Sequence, residues 1–538
     1  MHPSALAKRL NILLFIAIIA LYLYGLGSLP LLGPDEPRYA QVAREMFLRG
    51  DLITPTLGGH TWFEKPALLY WLMLGAYTLF GVSEWTARLG PALCGLLTIA
   101  AVWRVGRAVE RSFDRANGSG ETRDFAFWST LVAASVLGLI VFSRAASFDI
   151  VITMTTTWSL AFFVLHELDR NKRSRFLAGF YVFVGLSLLA KGLVGLVIPF
   201  GVVGAYYLIR REWPKRQVWM SLVWGIPLAV AVAALWYGPV IARHGWAFVD
   251  EFFIQHHFAR YVSNKYHHPQ PIYFYPAIIL MLALPWTGFL VEAFAKIRSW
   301  AWRGNDGLSI VRVFSLAWLL LPIVFFSFSG SKLPGYILPA LPAAALLMAD
   351  RLVHSTARWP FRTTGVICLA LAVGAIVYAV QSGDFTLACA VAIAVPMVVA
   401  AGSSFFVRDQ RVMFPMIIAG ATFVLVMLVA ICAAPSVAGR ESVRDLLQIA
   451  AARGYGDAPV LAQRSDDRTA QFYAHDRVVY NAEGEPITFD EVSVQAARAL
   501  GGRIVVFIPV EYVDNYRGVP TIEVLGDNGR MAVLGWKP

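Results

Sequence analysis

Charge is scarce in this chain of 538 residues: Asp, Glu, Lys and Arg make up 15% of it, against 57% hydrophobic residues. That shortage argues against a soluble globular protein, which would need many helices buried on every side. Apolar runs near the ~20-residue length of a bilayer span recur along most of the sequence. Cysteine is scarce as well. Cys94, Cys368, Cys389 and Cys432 all fall inside apolar runs, and no CxxC pair exists. They read as packed small hydrophobes, with no disulfide and no metal knuckle expected. The net charge of +11 does not imply nucleic acid, because most basic residues sit in short loops between spans. No small-x-small cleavage site follows the first apolar run, so it is expected to stay as a helix.

What is present is a polytopic all-α membrane bundle. Thirteen spans are predicted, near residues 11–32, 88–106, 125–143, 149–168, 176–191, 192–209, 218–241, 272–294, 311–329, 334–353, 363–381, 385–406 and 411–435. The stretch 66–82, "PALLYWLMLGAYTLFGV", is apolar enough to cross, and its placement sets the side of every later loop. Charge decides. If 66–82 stays on the outer face, 24 of the 46 Lys and Arg residues fall in inner segments, 11 in outer loops and 11 in the C-terminal tail. If it crosses, "RNKRSR" and "RREWPKR" move outside, against the positive-inside tendency. The expectation is a non-crossing 66–82, an inner N terminus and an outer C terminus. Residues 1–435 then form the membrane domain. Residues 436–538 form a small outer α/β domain, with helices at "SVRDLLQIAAARG" and "FDEVSVQAARALGG" and strands at "APVLA", "RVVYN", "RIVVFIP" and "TIEVLG". That domain has no nucleotide fingerprint, and its His475 stands alone.

Under this topology the unusual polar groups share one side. Asp35 and Glu36 open the first outer loop, "LLGPDEPRYAQVAREMFLRGD", and "FEKP", with Glu64 and Lys65, closes it. Arg144 and Asp149 lie in the next outer turn. Lys191 lies between two spans. "DEFFIQHHFARYVSNKYHH" brings His256, His257 and Arg260, and "SGSKLPGYILPALP" brings Lys332 and Tyr336. Ionisable groups near membrane depth are functional candidates. Plainer roles exist for each. Asp35 can cap the helix "EPRYAQVAREMFLRG", whose Tyr39, Val42, Met46 and Phe47 suit a helix lying in the interface. Glu64 and Lys65 can be a surface pair, and Lys191 can snorkel. Neighbouring histidines point about 100° apart on a helix, so neither pair makes a metal site alone.

Lys65, Lys191, Arg260 and Lys332, with Tyr336 as a donor, are groups that bind phosphate. At bilayer depth, a lipid-linked phosphate fits them. Carboxylates beside such a cluster suggest group transfer at the atom bearing the phosphate. The succession "DEPRYAQVAREM", "FEKPALLYW", a multi-span bundle and an outer C-terminal domain resembles the C-type glycosyltransferases of the protein O-mannosyltransferase superfamily. Within it, the chain looks most like the bacterial undecaprenyl-phosphate 4-amino-4-deoxy-L-arabinose transferases that modify lipid A. That branch often has Thr where this chain has Pro37.

The resemblance implies a bacterial inner-membrane enzyme with a periplasmic active site. It implies an undecaprenyl-phosphate-linked sugar as donor, lipid A as acceptor and no nucleotide cofactor. It marks Asp35 as the catalytic carboxylate and Asp149 as a second functional acid. Arg38 and Tyr39 would lie near Asp35, and Lys65, Arg260 and Tyr336 would hold the donor phosphate. A divalent metal, zinc, is implied at the same loops, with Glu64 and His256 or His257 as candidate ligands. Other readings are a related transferase with a different sugar or a protein Ser/Thr acceptor, and a lipid or solute transporter. Transport is disfavoured because no matching pair of broken spans is visible.

Overall fold

In the computed structural model the described residues are 5–114, 124–169, 171, 174–259, 270–406, 412–462, 468–482, 484–487 and 502–537. The predicted helix at 489–502 lies almost wholly outside them. The chain runs through α1 (Ala5–Leu23), α2 (Glu36–Arg49), α3 (Leu68–Phe80), α4 (Glu84–Asp114), α5 (Phe125–Ser135), α6 (Leu137–Ser143), α7 (Phe148–Leu168), α8 (Ser174–Lys191), α9 (Val194–Arg210) and α10 (Arg216–Val249). Further apolar helices follow to Leu428. Among the described residues nine helices are long and apolar enough to cross a membrane, or ten if the bent pair α5–α6 is one span. The chain is a multi-pass membrane protein.

The thirteen predicted spans exceed that number for local reasons. The described apolar part of α1, Ile12–Leu23, and α9 are shorter apolar helices. The predicted span 272–294 is two helices, Phe274–Leu282 and Thr287–Ala295. The predicted span 125–143 bends by 60° between α5 and α6, where Val136 is extended. Two spans are thus broken, and the two breaks meet. The Leu137 N–H donates to the Leu284 carbonyl at 2.9 Å, and the Trp286 indole donates to Ser135 Oγ at 3.0 Å. Backbone freed at one break is satisfied at the other, which is how irregular backbone survives in lipid. The helix in 66–82 is α3, with 13 residues. At 1.5 Å per residue it spans ~20 Å, short of the ~30 Å hydrocarbon layer.

One expectation about the cysteines fails. Cys389 and Cys432 form a disulfide, with Cα atoms 6.0 Å apart. They are 43 residues apart on successive apolar helices, Leu387–Phe406 and Met413–Leu428 with its continuation. An antiparallel pair brings such positions together, whatever their local composition. Cys94 and Cys368 are free and buried.

The C-terminal part is built on a four-stranded sheet in the order β3 (Val460–Ala462), β4 (Ile504–Pro509), β6 (Met531–Trp536), β5 (Ile522–Asp527). β3 pairs parallel to β4 and the other pairs are antiparallel. β6, "MAVLGW", was not expected as a strand. "RVVYN" gives only isolated bridges, at Val478 and Tyr480. A helix from Arg444 ends near Gly454, whose φ of 85° is the left-handed turn that glycine allows. This part docks on α2. Arg44 donates to the Phe472 carbonyl at 2.7 Å and to His475 Nδ1 at 3.1 Å, so His475 does not stand alone. Burial, then the charges of Arg44 and Arg477, hold the His475 imidazolium below its usual range. The Leu31 N–H donates to the Tyr473 hydroxyl at 2.7 Å, and that hydroxyl donates to Glu84 at 3.1 Å.

Candidate active site

The first loop folds around its second acid. Glu36 is buried and takes a bidentate pair from Arg88, at 2.9 and 2.7 Å. It also accepts the N–H groups of Ala146 at 2.6 Å and Leu32 at 3.0 Å. Arg88 spends its other donors on the carbonyls of Leu26, Leu29 and Pro30. Burial pushes the Glu36 carboxyl up, but the Arg88 charge and these hydrogen bonds outweigh it and hold the group below its usual range. Glu36 therefore ties the loop to α4 and to the turn before α7.

Asp35 is different. It occupies the cap position of α2, yet its side chain caps nothing; it accepts from Arg38 at 2.6 Å, and its side chain is 51% exposed. The capping reading is replaced by an ion pair one turn along. The apolar side of α2 packs into the protein: Tyr39, Val42 and Met46 are buried. α2 ends at Gly50, in the left-handed conformation (φ 63°). A two-stranded hairpin, β1 (Thr56–Leu57) with β2 (His60–Thr61), then returns the chain to "FEKP". Glu45 holds this hairpin, accepting from the Thr56 hydroxyl at 2.6 Å and the Gly58 N–H at 2.7 Å.

That return places Glu64 and Lys65 beside Asp35 and Arg38. Lys65 donates to Glu64 at 2.5 Å, and Arg38 lies 3.8 Å from the same carboxylate. The Arg38 guanidinium sits over the Trp62 ring at 5.2 Å and the Tyr39 ring at 5.5 Å. Among the described residues, Arg38 Nε, Trp62 Nε1 and Tyr70 Oη are buried with no hydrogen-bond partner. One of these donors is on Arg38 itself and the other two residues are beside it, and together they form a cradle for an oxygen-rich group.

A second cluster adjoins it. Asp149, in the first turn of α7, is paired with Lys191 at the end of α8. The Lys191 ammonium lies 4.6 Å from the Tyr336 ring centre. A Cβ at Gly335 would run into the Asp149 carboxylate and the Phe142 ring, so a larger residue there would force the pair to shift. The Phe148 ring joins the clusters, packing edge-on against Tyr39 at 4.9 Å and Tyr70 at 5.3 Å. Lys332 is buried and donates to the Gln270 carbonyl at 2.9 Å, a loop anchor. Arg260 lies outside the described residues.

Among the described residues no group of three His, Cys, Asp or Glu side chains could hold a metal ion. Glu64 is occupied by two cations. His256 lies in the helical segment Asp250–Ala259, and the side chain of His257 is outside the described residues. Sequence reasoning missed Tyr70, Trp62 and Phe148, because aromatics within or beside apolar runs look like ordinary packing.

The fold and site together define a polytopic membrane protein with an acid and cation cluster at one end of its bundle. Crystal structures with this fold include those of ArnT from Cupriavidus metallidurans, bound to undecaprenyl phosphate (TM-score 0.80) and in the apo state (0.76). Each is 23% identical to this chain, with 98% of both chains covered. Residues 64–237 match the family described as dolichyl-phosphate-mannose-protein mannosyltransferase. The undecaprenyl phosphate-alpha-4-amino-4-deoxy-L-arabinose arabinosyl transferase 2 of Pseudomonas fluorescens (strain Pf0-1) is 31% identical over 365 residues, covering 64% of this chain and 61% of that one. The corresponding transferase of Aeromonas salmonicida (strain A449) is 32% identical over 373 residues, covering 65% and 63%. The chain thus matches about three-fifths of the length of these curated relatives. The resemblance carried by "DEPRYAQVAREM" and "FEKP" holds along the fold.

Proposed function

We propose that this protein is an inner-membrane glycosyltransferase that moves 4-amino-4-deoxy-L-arabinose from undecaprenyl phosphate to a phosphate of lipid A, on the periplasmic side. The observation that carries the reading is the cradle at Arg38: three buried donors without partners, two cations and a half-exposed carboxylate, all at one end of the bundle. A sugar phosphate supplies the acceptor oxygens these donors lack. The polyprenyl tail stays in the bilayer. The Cys389–Cys432 disulfide favours the periplasm for its end of the bundle, since disulfides persist in oxidising compartments.

In this scheme an oxygen of the lipid A phosphate attacks the anomeric carbon. The bond from that carbon to the donor phosphate breaks, and undecaprenyl phosphate leaves with the electron pair. Lys65 and Arg38 balance the charge gathering on the leaving phosphate. The acceptor phosphate is already anionic, so it needs no general base. Asp35 instead holds the amine of the sugar or offsets positive charge on its ring. A single displacement inverts the anomeric centre. No step is routed through a metal.

A second reading has a specific observation behind it. The family matching residues 64–237 is described by transfer to protein. A Ser or Thr hydroxyl must lose a proton, and there Asp35 would act as general base, worth ~10²–10⁴-fold. Incubating the purified protein with the lipid-linked sugar and either lipid A or a Ser/Thr-rich peptide separates the two. Mass gain on lipid A with an inverted linkage supports the main reading. No gain on lipid A, or a retained configuration, overturns it.

A further inference from the structure

At the end of the bundle opposite the acid–cation cluster, a cavity of about 590 Å³ opens between α7, α8, α9 and α10. Its wall is aromatic. Phe163, Phe180 and Phe200 pack in series, with centroids 5.7 and 5.5 Å apart, and Tyr207 and Trp219 continue the lining. The polar groups in it are few: the Tyr181 and Ser221 hydroxyls bond each other at 2.9 Å. A cavity of this size and lining is built for an apolar chain.

Its mouth is basic. Arg211 lines it, and Lys215 and Arg216 follow in the same exposed turn. Glu212 does not cancel them, because Arg210 takes its carboxylate at 3.0 and 3.1 Å. Arg210 also donates to the Gly304 carbonyl at 2.9 Å, fixing the turn to the neighbouring loop. Trp213 and Trp219 are 86% and 50% exposed, as indoles at a membrane interface are.

We propose that this cavity is a binding site for one anionic glycerophospholipid, with an acyl chain in the aromatic slot and the phosphate against Arg211. Net positive charge at the mouth, joined to an apolar slot that opens at the membrane boundary, selects that occupant over a zwitterionic lipid. The site is separate from the acid–cation cluster and stands whichever sugar or acceptor that cluster serves.

Gly204 lines the cavity, and a Cβ placed there meets no atom within 4 Å. Gly204→Leu therefore fills the slot without a backbone clash, and it raises helix propensity. A second variant, Arg211→Asn with Lys215→Ala and Arg216→Ala, removes the charge; Asn keeps the left-handed backbone at Arg211 (φ 53°). The full-length protein is exchanged into equal phosphatidylglycerol and phosphatidylcholine, and retained lipid is read by native mass spectrometry. The wild type is expected to retain one phosphatidylglycerol, preferred by roughly fivefold per basic residue. Gly204→Leu is expected to lose it. The triple variant is expected to retain both lipids equally, and its changes are all exposed, so it decides the matter if Gly204→Leu does not fold. Equal retention of both lipids by the wild type, or unchanged preference in either folded variant, overturns the proposal.

Discussion

At one end of the bundle Asp350 is buried and held by two partners, Arg312 at 2.9 and 2.7 Å and His354 at 3.0 Å. At the other end Asp35 has Arg38 at 2.6 Å and a side chain 51% exposed, with unsatisfied donors close by. The two acids are equally conspicuous in an apolar sequence. The contrast teaches that charge at membrane depth does not itself mark a site. Where a carboxylate's oxygens are consumed by protein donors it braces helices, and where they are left open beside partnerless donors it can meet a substrate. Glu36, one residue from Asp35, falls on the bracing side.

The comparison breaks most visibly at Asp35. Asp35→Asn is expected to lower the transfer rate by ~10²–10⁴-fold if the carboxylate works on the reacting centre. The melting temperature should hardly move, since its one ion pair is half exposed. A matching loss of stability would put Asp35 with the bracing acids.

Glu36→Ala and Asp350→Ala should behave the other way. Glu36→Ala strands the buried Arg88 and is expected to cost ~3–5 kcal/mol, read as loss of folded protein in detergent, and Asp350→Ala, which leaves the partly buried Arg312, is expected to cost less. Glu36 also carries a pH signature. Its folded pKa lies below the ordinary 4.5, so its contribution is complete above about pH 4.5 and is lost as pH falls through the folded value. The acid limb of the stability curve should flatten in Glu36→Gln, and an unchanged limb would contradict the assignment.

Tyr70→Phe removes one unsatisfied donor. Without a ligand it should leave stability unchanged or raise it slightly, while donor binding weakens by roughly 0.5–1.5 kcal/mol, seen as a higher KM. A drop in stability with KM unmoved would mean the hydroxyl has a partner within the fold. Least affected should be Asp384→Ala, which removes the exposed-side pair with Arg440 at 2.5 Å; the thermal unfolding curve is expected to stay where it is.

Much of this division was legible in the sequence, and what was not has a physical cause. Asp35, Glu64 and Lys65 stand out by their odd chemistry beside apolar runs, the resemblance adds Arg38 and Tyr39, and the folded chain gathers them. Asp149, Lys191 and Tyr336 were singled out likewise and form the adjoining cluster. The bracing role of Glu36 was hidden because its partner Arg88 lies 52 residues away and looks like one more loop cation. The disulfide was hidden because span pairing, not cysteine spacing, sets which thiols meet. The break at Val136 lies two residues before Gly138, which packs against Leu282, and the Leu137 N–H it frees is taken by the Leu284 carbonyl, a partner far along the chain. Tyr70 and Trp62 could have been found only by asking which aromatic polar tips lack a partner, a question about three dimensions.

The most direct test is mass spectrometry of lipid A after incubation of the purified protein with undecaprenyl-phosphate-linked aminoarabinose, beside equally folded Asp35→Asn. The account predicts that the wild type adds the sugar and Asp35→Asn does not. Transfer undiminished in Asp35→Asn, or no transfer by the wild type, would contradict it.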